Sequence, residues 1–110
     1  MRAILQRVSK ASVSVDGEVI GAIGQGLLVL LGAGRDDGPE EVEWVTRKIA
    51  QLRVFGDESG RMNLSLEASG GSALVVSQFT LYGDCKKGNR PSFSKAMDPG
   101  EASEFVDSVV

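Results

Sequence analysis

A chain of 110 residues with 42% hydrophobic content has material for one domain with an ordinary core. It has no histidine, one cysteine and a formal net charge of −3. Those counts exclude imidazole-based hydrolytic machinery and an internal disulfide, and they argue against nonspecific nucleic-acid binding through a global positive field.

Ala3 to Val8 and Ala11 to Val15 read as a strand pair or one bent strand. In the second stretch Ala11, Val13 and Val15 alternate with Ser12 and Ser14, which predicts one buried and one wet face. Asp16-Gly17 supplies the positive-φ positions of a tight hairpin turn, and the chain returns through Val19 to Ile23. Gly24-Gln25-Gly26 interrupts it. Glycines inside a sheet mark a bulge or a close backbone approach, and a bulge is expected here. Leu27 to Leu31 follows as a strand covered on both faces.

Gly32 to Gly38 is a loop, and Pro39 suits the first residue of a helix. Val42, Val45, Ile49 and Leu52 recur at helical spacing, with Glu40, Glu41 and Glu43 near the positive end and Arg47, Lys48 and Arg53 near the negative one. Asp57-Glu58-Ser59-Gly60 reads as a turn. Met62, Leu64 and Leu66 alternate with Asn63 and Ser65 as a half-buried strand, and Gly70-Gly71 breaks it. Ala73 to Leu81 is expected as a further strand, ending in the polar segment Ser77-Gln78-Phe79-Thr80-Leu81. Beyond Asp98-Pro99, Glu101 to Val110 reads as a second helix that stops without a cap, so the chain reads as incomplete at its C-terminus. The expected fold class is α+β: one domain over residues 1–110, mostly antiparallel and barrel-like, with two helices.

The longest apolar run, Leu27 to Leu31, falls far short of a bilayer span, and no charged-then-apolar leader opens the sequence. A cytoplasmic protein without a membrane partner is the expectation. Gly32-Ala33-Gly34 follows a strand and precedes a helix, but the third glycine of a nucleotide fingerprint is misplaced at Gly38 and no βαβ repeat follows. A turn is the better reading. Cys85 lies beside Lys86 and Lys87, which can lower a thiol pKa, yet a lone surface thiol is more often inert. Between Asp84 and Lys95, four cations (Lys86, Lys87, Arg90 and Lys95) face one carboxylate, a local net charge of +3. Such a patch suits either a few phosphates or a solvated loop. Scattered carboxylates without histidine give no metal-ligand spacing, so no metal and no cofactor are expected.

Ser77 and Thr80 are possible nucleophiles, but a serine triad needs an imidazole and a Ser–Lys pair needs a desolvated lysine. Read alone, Ser77, Gln78 and Thr80 are strand-end hydrogen-bonding groups. A histidine-free hydrolase remains workable where the substrate is already reactive. An aminoacyl ester on a ribose qualifies, because its neighbouring hydroxyl and its ammonium group both favour attack on the carbonyl. The protein then holds the ester and stabilises the oxyanion with backbone N–H groups, each worth roughly 3 kcal/mol. Fixed geometry adds a proximity term.

The opening Met1-Arg2-Ala3-Ile4-Leu5-Gln6-Arg7-Val8, then Gly26 to Gly32, Met62-Asn63-Leu64, Val75-Val76-Ser77-Gln78-Phe79-Thr80-Leu81 and Arg90-Pro91-Ser92-Phe93-Ser94 resemble, in order, the D-aminoacyl-tRNA deacylase (D-tyrosyl-tRNA deacylase) family. The resemblance implies a homodimer with barrel-like sheets and a site at the subunit interface. It implies hydrolysis of the ester joining a D-amino acid, or glycine, to the 3′-terminal adenosine of tRNA, with no DNA partner. It makes Phe79 and Thr80 the catalytic positions through main-chain N–H groups, with threonine as nucleophile the older proposal. Ser77 and Gln78 would bind substrate, and the charge pattern assigns tRNA contact to Lys86, Lys87 and Arg90. One departure stands out. The family's second motif, an Asn-Gly-Pro-Val-Thr type segment that rejects L-amino acids, has no match among the contexts of Pro39, Pro91 and Pro99. The alternatives are a non-catalytic module that binds an aminoacyl-RNA end or small ligand, and an oligomerising structural protein.

Overall fold

A computed structural model describes all residues from Met1 to Val110. The strands are β1 (Arg2–Val8), β2 (Ala11–Val15), β3 (Glu18–Ile23), β4 (Gly26–Gly32), β5 (Phe55–Gly56), β6 (Met62–Leu64) and β7 (Ser72–Ser77). The helices are α1 (Pro39–Gln51), α2 (Leu66–Ser69) and α3 (Pro99–Val109), and a 3-10 turn spans Phe79–Tyr82. The α+β class is as expected. The sheets stay open: one has three strands in the order β1-β4-β7, and β2-β3 and β5-β6 are two-stranded antiparallel pairs. Two helices fall at the anticipated places, and the short α2 adds a third.

The hairpin turn is as read, with Asp16 at φ 52° and Gly17 at φ 81° joining β2 to β3. The register of β2 on β3 shifts between Val13 and Ser14. Gly26 answers to the other reading, a close backbone approach. A Cβ built on it would lie 1.7 Å from the Ser72 carbonyl oxygen. Val15, expected on the buried face, is half exposed next to the turn.

Two strands end earlier than their alternation suggests. After β6, Ser65 caps α2 by accepting a hydrogen bond from the Ala68 amide at 3.1 Å, so Leu66 is buried from a helix and not from a strand. After β7, Gln78 donates its amide to the Leu31 carbonyl at 2.8 Å, takes φ −144° and ψ 85°, and turns the chain into the 3-10 segment. Residues 79–81 are therefore not strand.

Two compact units carry the core. One comprises Met1–Ile4, Leu30–Thr46 and Val75–Val110, and its buried side chains include Leu31, Ala33, Val45, Met97, Ala102 and Val106. Within it α3 closes on Ala33 and Met97, with Met1 and Phe105 packed alongside. Asp98 caps α3 by accepting from the Gly100 amide at 3.0 Å, and Pro99 takes the first turn, where its missing N–H costs nothing. The other unit comprises Leu5–Val29 and Arg47–Leu74 and buries Leu27, Val29, Ile49, Phe55 and Leu66. Of the helical face read for α1, Val45 and Ile49 are buried, and Leu52 lies beyond the helix and is exposed.

A candidate aminoacyl-ester site

The end of β4 is built to receive the 3-10 turn. Gly32 and Gly34 alternate along the chain and leave the space that Tyr82 fills. A Cβ at Gly32 would stand 2.9 Å from the Gln78 carbonyl oxygen and 3.3 Å from the Tyr82 ring, and one at Gly34 would stand 2.7 Å from the Tyr82 hydroxyl. The Gly-Ala-Gly segment is thus a seat for a side chain, which agrees with setting aside a nucleotide loop. Tyr82 is also held by the Arg2 guanidinium, whose central carbon is 4.6 Å from the ring centroid, and Arg2 donates to the Leu81 carbonyl at 2.9 Å.

Asp37 completes this cluster. Its Oδ2 accepts from the Gly34 amide at 2.6 Å and pairs with the Met1 amine at 2.5 Å. Burial pushes the Tyr82 phenol above its ordinary value, and the adjacent Asp37 carboxylate pushes the same way, while Arg2 opposes them. Arg2, Asp37 and Tyr82 belong to no nucleophile, metal or phosphate pattern. Only the fold brings them together, so sequence spacing offered no signal for the cluster.

Four predicted site residues, Ser77, Gln78, Phe79 and Thr80, stand together at the end of β7 and the start of the turn. The first N–H groups of any helical turn lack an acceptor within it, and Gln78, in the cap position, supplies no side-chain acceptor. Phe79 and Thr80 occupy those first positions. Both are exposed, as is Ser77. The Gln78 side-chain amide instead donates to the Thr80 hydroxyl. That hydroxyl has no imidazole to deprotonate it and spends a lone pair on an amide donor, a poor arrangement for a nucleophile.

Ser77 and Phe79 line an open cavity of about 310 Å³ together with Met97, Ala102, Ser103 and Asp107. Phe79 and Phe93 meet edge to face with centroids 5.1 Å apart and remain 55% and 37% exposed, so their aromatic surface is offered outward rather than spent in the core. Gly83, beneath them, would bring a Cβ 3.1 Å from the Phe93 ring.

The predicted cationic residues Lys86, Lys87 and Arg90 lie exposed on the loop between Asp84 and Ser92. A reciprocal pair of backbone bonds closes that loop, Asp84 to Ser92 at 2.7 Å and Ser92 to Asp84 at 2.8 Å. The loop leads directly into Phe93, and so into the aromatic pair.

The family model described as D-Tyr-tRNA(Tyr) deacylase matches residues 4–110. The chain belongs to this deacylase family. Among its relatives, the D-aminoacyl-tRNA deacylase of Heliobacterium modesticaldum is 56% identical over 110 residues, an alignment covering all of this chain and 73% of that protein. The D-aminoacyl-tRNA deacylase of Chloroflexus aurantiacus is 59% identical over 108 residues, covering 98% and 68%. Among solved structures, the c-Myc DNA Unwinding Element Binding Protein superposes with a TM-score of 0.92 at 47% identity, covering 99% of this chain and 73% of the other. A probable eukaryotic D-amino acid tRNA deacylase shares the deacylase fold at a TM-score of 0.75 and 20% identity. No helix of the chain is long and apolar enough to cross a membrane.

Proposed function

We propose that the chain hydrolyses the ester linking a D-amino acid, or glycine charged on a wrong tRNA, to the tRNA 3′ end, releasing free amino acid and tRNA. The observation that carries this reading is the turn at residues 79–82, whose leading amides belong to Phe79 and Thr80 and have no cap. Two uncapped N–H donors suit the oxyanion that forms when the ester carbonyl is attacked, and each is worth roughly two to three powers of ten in rate. The substrate brings its own activation, so no general base is required of a chain without histidine. In this reading Ser77 and Gln78 hold the aminoacyl group beside the cavity, with Gln78 fixing the Thr80 side chain. Lys86, Lys87 and Arg90 attract the acceptor-stem phosphates.

Membership of a deacylase family supports this reading of the site. The exposed aromatic surface of Phe79 and Phe93 favours a second copy of the chain as a cover for the pocket, and a cytoplasmic location follows from the substrate. The test is release of amino acid from D-Tyr-tRNA and L-Tyr-tRNA. Hydrolysis of the D-ester with the L-ester spared is the expected result, and binding of tRNA without hydrolysis of either ester contradicts it in favour of a non-catalytic module.

A further inference from the structure

We infer that Arg2 is a positioning residue, acting through Leu81 and Tyr82 to fix the turn from which the Phe79 and Thr80 amides are presented. The inference rests on the function proposed above. A four-residue 3-10 turn is weakly held by itself. None of its residues is buried, no side chain caps its leading amides, and its Leu81–Gln78 backbone bond is long at 3.4 Å. It must be fixed from outside if its amides are to meet an oxyanion in a set geometry.

The start of the turn is fixed by the Gln78 amide on the Leu31 carbonyl at 2.8 Å. Its far end is fixed by Arg2, which donates to the Leu81 carbonyl at 2.9 Å and covers the Tyr82 ring at 4.6 Å. That ring can move little. A Cβ at Gly34 would stand 2.7 Å from its hydroxyl and one at Gly32 3.3 Å from its ring, and that hydroxyl faces Asp37, itself held by the Gly34 amide and the Met1 amine. Arg2 is the exposed member of the set and contributes nothing to the core. Its removal is therefore expected to loosen the turn while sparing the fold.

The experiment pairs kinetics on D-Tyr-tRNA with amide NMR of the chain. Arg2→Ala should lower kcat about tenfold or more with KM within about twofold. Arg2→Lys, which keeps a cation over the ring and one donor, should recover at least about a third of the parent kcat. Independently of turnover, Arg2→Ala should shift or broaden the Phe79 and Thr80 amide resonances and leave those of Val45 and Ile49 in place. If the parent hydrolyses nothing, the functional proposal falls and the amide spectra alone decide the role of Arg2. Unmoved Phe79 and Thr80 amides in Arg2→Ala overturn the inference. So does a loss of kcat that Lys fails to restore and that tracks a matching fall in melting temperature. Should Arg2→Ala not fold, Arg2→Gln retains a donor and loses the cation, and displaced or unmoved amides in that variant support or overturn the inference in the same way.

Discussion

In the proposed site Thr80 contributes its main-chain amide, and its side chain does no chemistry. Its hydroxyl accepts from the Gln78 side-chain amide and has no imidazole to deprotonate it, whereas its own amide lies in the first positions of an uncapped turn. Tyr82 shows the reverse case, a side chain whose value lies in where it sits. Its phenol is held above the usual value of 10.0 mainly by burial, then by Asp37, with Arg2 opposing. Because the folded-state value is raised, its contribution to stability is complete below the unfolded value and is lost as pH rises through the folded one. Tyr82→Phe should therefore show a shallower fall in stability above about pH 10 than the parent, read by denaturant unfolding across that range. Identical slopes would mean that the phenol stays in the solvent and that Asp37 does not act on it.

At the level of elements, glycine close approaches explain where backbone meets backbone. Gly26 and Ser72 come together so tightly that any Cβ at position 26 must displace main chain, and the Ser72 amide is tied to the Gln25 carbonyl at 3.1 Å. Gly26→Ala is expected to cost about 3 kcal/mol or more, since the clash cannot be relieved by a rotamer change. Gly24→Ala, with open space around it, should stay within about 0.5 kcal/mol of the parent. Equal effects in urea unfolding would refute the close approach. The hairpin turn, β4 and α1 were legible in sequence because turn chemistry, apolar runs and helical periodicity are local signals, and the polar residues among 77–80 were placed at the end of an apolar run on the same grounds. The end of β7 was not legible, because Phe79 and Leu81 alternate with Gln78 and Thr80 as a strand would, whereas the backbone departs from the sheet at Gln78, with φ −144° and ψ 85°. The Leu64 to Leu66 alternation misled as well: a serine cap outweighed the period-two pattern.

For the molecule as a whole, an acidic chain carries one local cluster of cations. The net charge is −3, yet Lys86, Lys87 and Arg90 share one exposed loop whose ends are tied by the Asp84–Ser92 bonds. Such a loop tolerates charge removal without unfolding. Replacing all three with Gln should raise KM for aminoacyl-tRNA and reduce the salt dependence of binding by about two to three in log–log slope, as expected for three lost phosphate contacts. An unchanged slope would place the RNA elsewhere. The central claim is that main-chain amides carry the chemistry, and it is tested most directly by replacing the Thr80 N–H with an ester oxygen by semisynthesis, beside Thr80→Ala. The ester should lower kcat on D-Tyr-tRNA by about a hundredfold or more, whereas Thr80→Ala should stay within about tenfold of the parent. Full activity in the ester-containing chain, or complete loss in a folded Thr80→Ala, would contradict the account.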